Sequence, residues 1–135
     1  MTSTSQEKKF KILVAEDEED IRELVYITMN LAGYEVLTAK DGQEVLALAT
    51  EFLPDLILMD VRMPKMTGYE ACAAMKEIEE LKDIPVVFLS AKGQEAEIQK
   101  GLAVGAVAYI LKPFAPAKLT MRVQELLSGI VKEQE

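Results

Sequence analysis

Apolar and polar positions along the chain follow two rhythms, and the changes between them predict its elements. Residues 56–59, Leu56-Ile57-Leu58-Met59, form an unbroken apolar run. A strand with one wet face would alternate, so this run predicts a strand buried on both faces. Residues 11–15 and 85–89 read the same way, and 107–111 supplies a fifth strand. Residues 34–39 alternate and carry β-formers, which predicts the second strand in chain order.

Between the strands the period becomes helical. From Ile21, the residues Ile21, Leu24, Val25, Thr28 and Ala32 fall on one face, with Gly33 suited to a C-cap. Asp41 with Glu44, and Thr67 with Glu70, read as capping boxes opening helices that run to about residues 51 and 81. A weaker helix spans 94–104; its stripe is thin (Ala96, Ile98, Leu102), and Gly101 inside it costs about 1 kcal/mol relative to alanine. An amphipathic helix over 116–131 carries Leu119, Val123, Leu126, Leu127 and Ile130. Strict strand–helix alternation with right-handed crossovers predicts an α/β fold, a doubly wound parallel sheet with helices on both faces. Pattern alone leaves the strand order open. Residues 1–9 read as a loose polar lead-in, 10–131 as the one domain and 132–135 as a polar tail.

Composition narrows the chemistry. The chain of 135 residues is long enough for one good core and too short for two. Its 23 acids against 15 bases give a net charge of −8, which argues against nucleic acid or an anionic membrane as the main partner. No apolar run approaches a membrane span and no signal-peptide pattern opens the chain. A single cysteine, Cys72, makes no intrachain disulfide, so a cytoplasmic location is expected. There is no histidine, so any phosphohistidine must come from another molecule.

The residues at the carboxyl ends of the strands carry the chemistry, since ligands bind there in open α/β sheets. The first strand delivers Glu16 and Asp17, the third Asp60, the fourth Ser90 and the fifth Lys112. Taken singly, Asp60 reads as a turn cap, Ser90 as a cap hydroxyl, Lys112 as an exposed lysine, and Glu18, Glu19 and Asp20 as an acidic first turn. Their conjunction points further. Gathered carboxylates repel and raise one another's pKa unless a cation lies among them. A few hard oxygen ligands with room for water suit Mg²⁺ better than a calcium cage. Other phosphate chemistries fail on the same residues. A haloacid-dehalogenase-type site needs an acid two residues after its nucleophile, where this chain has Arg62. Neither a P-loop string nor a dinucleotide-binding glycine fingerprint is present.

Four strings, Ile-Leu-Val-Ala-Glu-Asp-Glu, Asp-Leu-Ile-Leu-Met-Asp-Val-Arg-Met-Pro-Lys-Met-Thr-Gly, Val-Val-Phe-Leu-Ser-Ala-Lys and Tyr-Ile-Leu-Lys-Pro-Phe, occur in that order. On them, residues 11–131 resemble the CheY-like receiver domain of bacterial two-component response regulators. The resemblance implies a flavodoxin-like three-layer sandwich with five strands in the order 2-1-3-4-5. It implies Asp60 as phosphoacceptor, Asp17 as direct Mg²⁺ ligand, Glu16 acting through water, and the main-chain carbonyl of Arg62 as a further ligand, with Mn²⁺ a substitute ion. It also implies that Ser90 and Lys112 meet the phosphoryl group and that Tyr109 is the aromatic switch residue. Many receivers carry Asp-Asp where this chain has Glu16-Asp17.

Elementary chemistry agrees with these roles. A carboxylate attacking a phosphoryl group meets charge repulsion, which a divalent ion and Lys112 offset while Ser90 donates a hydrogen bond. The new charge on Asp60 draws Ser90 and Lys112 inward, and Tyr109 takes the space left beside the fourth strand. The expected result is a switch of the face made by the fourth helix, fifth strand and fifth helix, which a thin fourth-helix stripe suits. Arg62 and Lys92, two residues past Asp60 and Ser90, are expected to tune phosphate lifetime by hindering water; as solvated side chains they have no such role.

The resemblance implies a phosphoacceptor that assists its own phosphorylation and dephosphorylation, rather than an enzyme turning over a separate substrate. A histidine kinase or histidine phosphotransfer protein is the expected donor and a downstream effector the expected receiver of the signal. Neither direct nucleic-acid binding nor membrane insertion is expected; weak homodimerisation through the switching face is. The alternatives are a receiver cut from a DNA-binding response regulator and a non-phosphorylated docking module.

Overall fold

A computed structural model describes residues 9–91 and 95–134. Lys92, Gln94, most of the expected lead-in and Glu135 lie outside the described residues, as does the side chain of Ile130. The elements run β1 (Lys11–Ala15), α1 (Glu19–Leu31), β2 (Glu35–Ala39), α2 (Gly42–Phe52), β3 (Leu56–Asp60), α3 (Gly68–Lys76), β4 (Val86–Ser90), α4 (Glu95–Ala103), β5 (Ala108–Leu111) and α5 (Pro116–Gln134). The five strands form one sheet in the order β2-β1-β3-β4-β5, every pair parallel.

The apolar runs are buried on both faces for the expected reason. Along β1 and β3, Leu13, Ala15, Ile57 and Met59 face one layer, where Val45, Ala49, Cys72 and Met75 of α2 and α3 cover them. The intervening Ile12, Val14, Leu56 and Leu58 face the opposite layer, with Val25 and Met29 of α1 and Leu119, Val123 and Leu127 of α5. Period-two side chains thus divide a single hydrophobic run between two cores. Edge strand β2 is alternately exposed and covered, matching its alternating sequence.

Three details differ from the sequence pattern, in α1, at the end of α3 and in the first capping box. The buried face of α1 is Val25 and Met29, while Leu24 is 43 % exposed and Ala32 is exposed, so the core stripe is rotated from the expected one. Helix α3 ends at Lys76, because Glu77 and Ile78 donate to the carbonyls three residues back, and the tightened turn still buries Leu81. The Thr67–Glu70 capping box forms in both directions. In the other, Asp41 accepts from the Glu44 amide, but Glu44 reaches the Lys40 amide rather than that of Asp41.

Gly101 has a packing reason. A Cβ there would lie 3.0 Å from the Phe88 ring and 3.1 Å from the Tyr109 ring. The helix accepts a residue of low propensity because two aromatic rings occupy the space.

Candidate functional site

The sheet ladder carries the reactive residues to one rim. In the order 2-1-3-4-5, connections from β1 and β3 leave toward opposite faces, opening a crevice at their carboxyl ends. Glu16 continues β1 by donating its amide to the Ala39 carbonyl at 3.0 Å. Asp60 is the last residue of β3 and pairs in register with Leu89. Ser90 ends β4, and Lys112 follows β5 with its amide donating to the Ser90 carbonyl at 2.8 Å. Four strand termini therefore present their side chains at fixed mutual positions.

Loop packing fixes Asp60 further. The Gly68 amide donates to the Val61 carbonyl at 2.8 Å, and a Cβ on Gly68 would collide with the Asp60 carbonyl oxygen. The same loop is braced against the start of α2, where a Cβ on Gly42 would lie 2.7 Å from the Met66 carbonyl oxygen. Lys65, at φ 68°, pairs with Asp41 at 3.7 Å. The residues after Asp60 thus have little freedom.

Asp17, Asp60, Arg62, Ser90, Ala91 and Lys112 line one cleft of about 340 Å³. Glu16 lies beneath it, fully buried, with Oε2 accepting from the Glu18 amide at 3.2 Å and Oε1 2.7 Å from the Lys112 ammonium. Lys112 also pairs with Asp60 at 3.4 Å. Carboxylate oxygens of Glu16, Asp17 and Asp60 all lie within 4.8 Å of one another.

This crowding is visible in the acids' titration. Burial, joined by the charge of Asp60, pushes Glu16 from 4.5 up to about 7 despite the opposing Lys112 hydrogen bond. Burial also raises Asp60; Lys112 opposes the shift and Asp17 adds to it. Burial alone would lower Lys112, but its hydrogen bond to Glu16 and the charges of Asp60 and Glu16 outweigh that and raise it. One ammonium leaves the three acids undercompensated, so their hard oxygens fit a divalent cation on charge and ligand type.

The expected residues divide into three groups. Asp17, Asp60, Arg62, Ser90 and Lys112 share the cleft, with Glu16 directly under it. Tyr109 stands apart on the far side of β4, its ring 6.4 Å from Phe88 and packed against the α2–α3 core. Lys92 lies outside the described residues.

Two neighbours escaped the sequence reading. Arg22 of α1 reaches back with Nη1 to the carbonyls of Glu16 at 2.9 Å and Asp17 at 3.3 Å, holding the loop that bears both acids. Tyr69 of α3 donates its hydroxyl to Glu97 of α4. The signal for Arg22 was an arginine one turn into the helix that follows the acidic loop; for Tyr69, a large aromatic beside small residues on a sheet-facing helix.

Comparison with known proteins agrees with the geometry. A family profile described as the response regulator receiver domain matches residues 12–124. The phosphate regulon transcriptional regulatory protein PhoB of Pseudomonas aeruginosa is 41% identical over 116 residues, 86% of this chain and 51% of that protein. The chain spans about half the length of the curated relatives it matches. The chemotaxis response regulator CheY4 of Vibrio cholerae superposes with a TM-score of 0.82 at 37% identity, covering 89% of this chain and 99% of that one. The receiver domain of the sensor histidine kinase PA1611 from Pseudomonas aeruginosa PAO1, which has a magnesium ion coordinated in its active site cleft, gives 0.83 at 27% identity over 90% and 99%.

Proposed function

The chain belongs to the response regulator receiver domain family of two-component signalling, with its CheY-like fold, and on that premise we propose that Asp60 is its phosphoacceptor. The supporting observation is the convergence of Asp17, Asp60, Ser90 and Lys112 on one cleft from four strand ends. In this reading an Asp60 oxygen attacks the phosphorus of a phosphohistidine on a histidine kinase or phosphotransfer protein. The new O–P bond forms as the N–P bond breaks, and the leaving imidazole takes a proton from solvent.

Each side chain then has a defined task. Lys112 neutralises charge on the incoming phosphoryl group, and the Ser90 hydroxyl donates to one of its oxygens. Asp17, Asp60 and the Arg62 carbonyl would hold Mg²⁺, or Mn²⁺ in its place, with Glu16 acting through water. When bound, such an ion supplies positive charge that shields the attacking carboxylate from the phosphoryl oxygens. The Arg62 side chain, at the cleft mouth, hinders hydrolytic water, with Lys92 as its expected counterpart.

Ser90 and Tyr109 relay the new charge to the α4–β5–α5 face, which controls a downstream effector. Leu102, Val107, Leu111 and Met121, 41–55 % exposed on or beside these three elements, support a weak homodimer there. The receiver occupies residues 10–131 in this reading, acts in the cytoplasm and turns over no separate substrate. Among the described residues no helix is long and apolar enough to cross a membrane. A second reading, the receiver of a DNA-binding response regulator, is favoured by the half-length match to transcriptional regulators such as PhoB. The chemically complete cleft counts against a docking module that is never phosphorylated.

Intact-mass spectrometry after incubation with acetyl phosphate and Mg²⁺ tests this. One phosphate adduct, absent in Asp60→Asn and under chelation, is expected; no adduct under any of these conditions overturns the reading.

A further inference from the structure

Tyr69 belongs to no part of the cleft, yet more contacts converge on it than packing requires. Its side chain sits at the start of α3, 9 % exposed, and meets Phe88 of β4 edge to face with ring centroids 5.1 Å apart. Its hydroxyl leaves the apolar layer and donates toward α4, 3.2 Å from the Glu97 carbonyl oxygen and 3.2 Å from Glu97 Oε1. The Lys100 ammonium, almost one turn further along α4, lies 5.0 Å from the centre of the same ring. One tyrosine therefore grips α4 through a main-chain acceptor, a carboxylate and a cation–π contact. Burial, reinforced by Tyr109 and Glu97, raises the Tyr69 hydroxyl, so it stays protonated and donating.

That grip matters because α4 has little other hold on the protein. Gly101 is its one buried residue among the nine. It is also the residue whose missing Cβ admits the Phe88 and Tyr109 rings. Tyr109 in turn meets the Phe88 ring edge to face, with centroids 6.4 Å apart, the same ring on which Tyr69 packs. Phe88 thus joins Tyr69 to Tyr109, and Gly101 seats α4 directly on the Phe88 and Tyr109 rings, so a shift of Tyr109 bears on α4.

We propose that Tyr69 is a positioning residue for the switch: by clasping Glu97 it holds α4 against Tyr109 and sets how readily a phosphoryl group at Asp60 rearranges the α4–β5–α5 face. This rests on Asp60 being the phosphoacceptor. A ligand shifts a two-state equilibrium against the free energy that favours the starting arrangement. Removing one contact specific to that arrangement therefore tightens the response to the ligand. One hydroxyl hydrogen bond corresponds to about a fivefold change.

Tyr69→Phe removes the hydroxyl and keeps the ring on Phe88 and under Lys100. Hydrogen exchange by mass spectrometry, with no phosphodonor, should show faster exchange in α4 and unchanged protection of β1 and β3. With Mg²⁺ present, the variant should bind beryllofluoride about fivefold more tightly than the natural chain. Glu97→Ala, which leaves the main-chain acceptor, should change both readouts in the same direction by less. A merely structural tyrosine would not tighten binding. Unchanged exchange in α4, or binding that is equal or weaker, overturns the proposal. If the natural chain takes up no beryllofluoride while α4 loosens as expected, the phosphoacceptor reading fails and Tyr69 is only a structural clasp.

Discussion

Lys112 holds two acids unequally, with its ammonium 2.7 Å from Glu16 and 3.4 Å from Asp60. The tighter partner is the fully buried one, so the lysine's first task is to compensate a charge that burial disfavours. In the proposed reaction, the longer contact to Asp60 is the one the ammonium would exchange for a phosphoryl oxygen while keeping Glu16. A glutamate at this position reaches the lysine from beneath the cleft rather than from its rim.

Removing that ammonium should be costly only where Glu16 is ionised. Lys112→Met leaves a buried carboxylate without its partner, a change worth about 3 kcal/mol at pH 8. Near pH 5.5 Glu16 takes up a proton and most of the loss should vanish. Urea denaturation of both proteins at the two pH values, with chelator present, checks this; an equal loss at both contradicts it.

The pH dependence of the metal-free protein follows from the same acids. Glu16 titrates at about 7 in the fold against 4.5 as its ordinary value, and Asp60 is shifted the same way. The folded state therefore binds more protons than the unfolded state in this window, so stability falls as pH rises. The Glu16 contribution is complete below 4.5 and is lost as pH rises through about 7. Melting temperatures in chelator should decline from pH 5 to pH 8, and Mg²⁺ should recover the loss most strongly at the upper end.

Much of this site is legible in the amino-acid sequence. The unbroken runs at residues 56–59 and 85–89 fix two central strands, because only a strand covered on both sides can be apolar at every position. Placing Asp60 and Ser90 at their ends is then a matter of counting. Hidden from the sequence was everything set by how surfaces meet. Pattern cannot reveal that Glu16 lies under the cleft and Asp17 on its rim, since adjacent strand-end residues point in opposite directions whose identity depends on neighbours. The core stripe of α1 follows from its seating on the sheet, which selects Met29 over Leu24. Gly101 read as a propensity penalty because its reason is two rings from other elements.

Arg22 should matter to ion binding through the loop it holds. Arg22→Ala frees the carbonyls of Glu16 and Asp17 and should weaken Mg²⁺ about tenfold, as loss of an outer partner of a metal site does. Calorimetric titration of Mg²⁺ checks this, with the melting temperature in chelator as control. Equal affinity in the two proteins would make the arginine a helix-surface residue only.

Gly68 has no room for a side chain. Gly68→Ala puts a methyl against the Asp60 carbonyl, Val61 and the Phe88 ring. Backbone cannot swing aside as a side chain can, so a loss of about 2 kcal/mol or more is expected, together with slower phosphorylation. Denaturant midpoints and the rate of adduct formation check both.

The most direct measurement is chemical trapping of the phosphorylated residue. The chain is treated with acetyl phosphate and Mg²⁺, reduced with borohydride, digested and sequenced by fragmentation. An aspartyl phosphate is reduced to homoserine, so homoserine is expected at position 60 alone and at no position under chelation. Homoserine at another aspartate, or equal yields with and without the ion, would contradict the account.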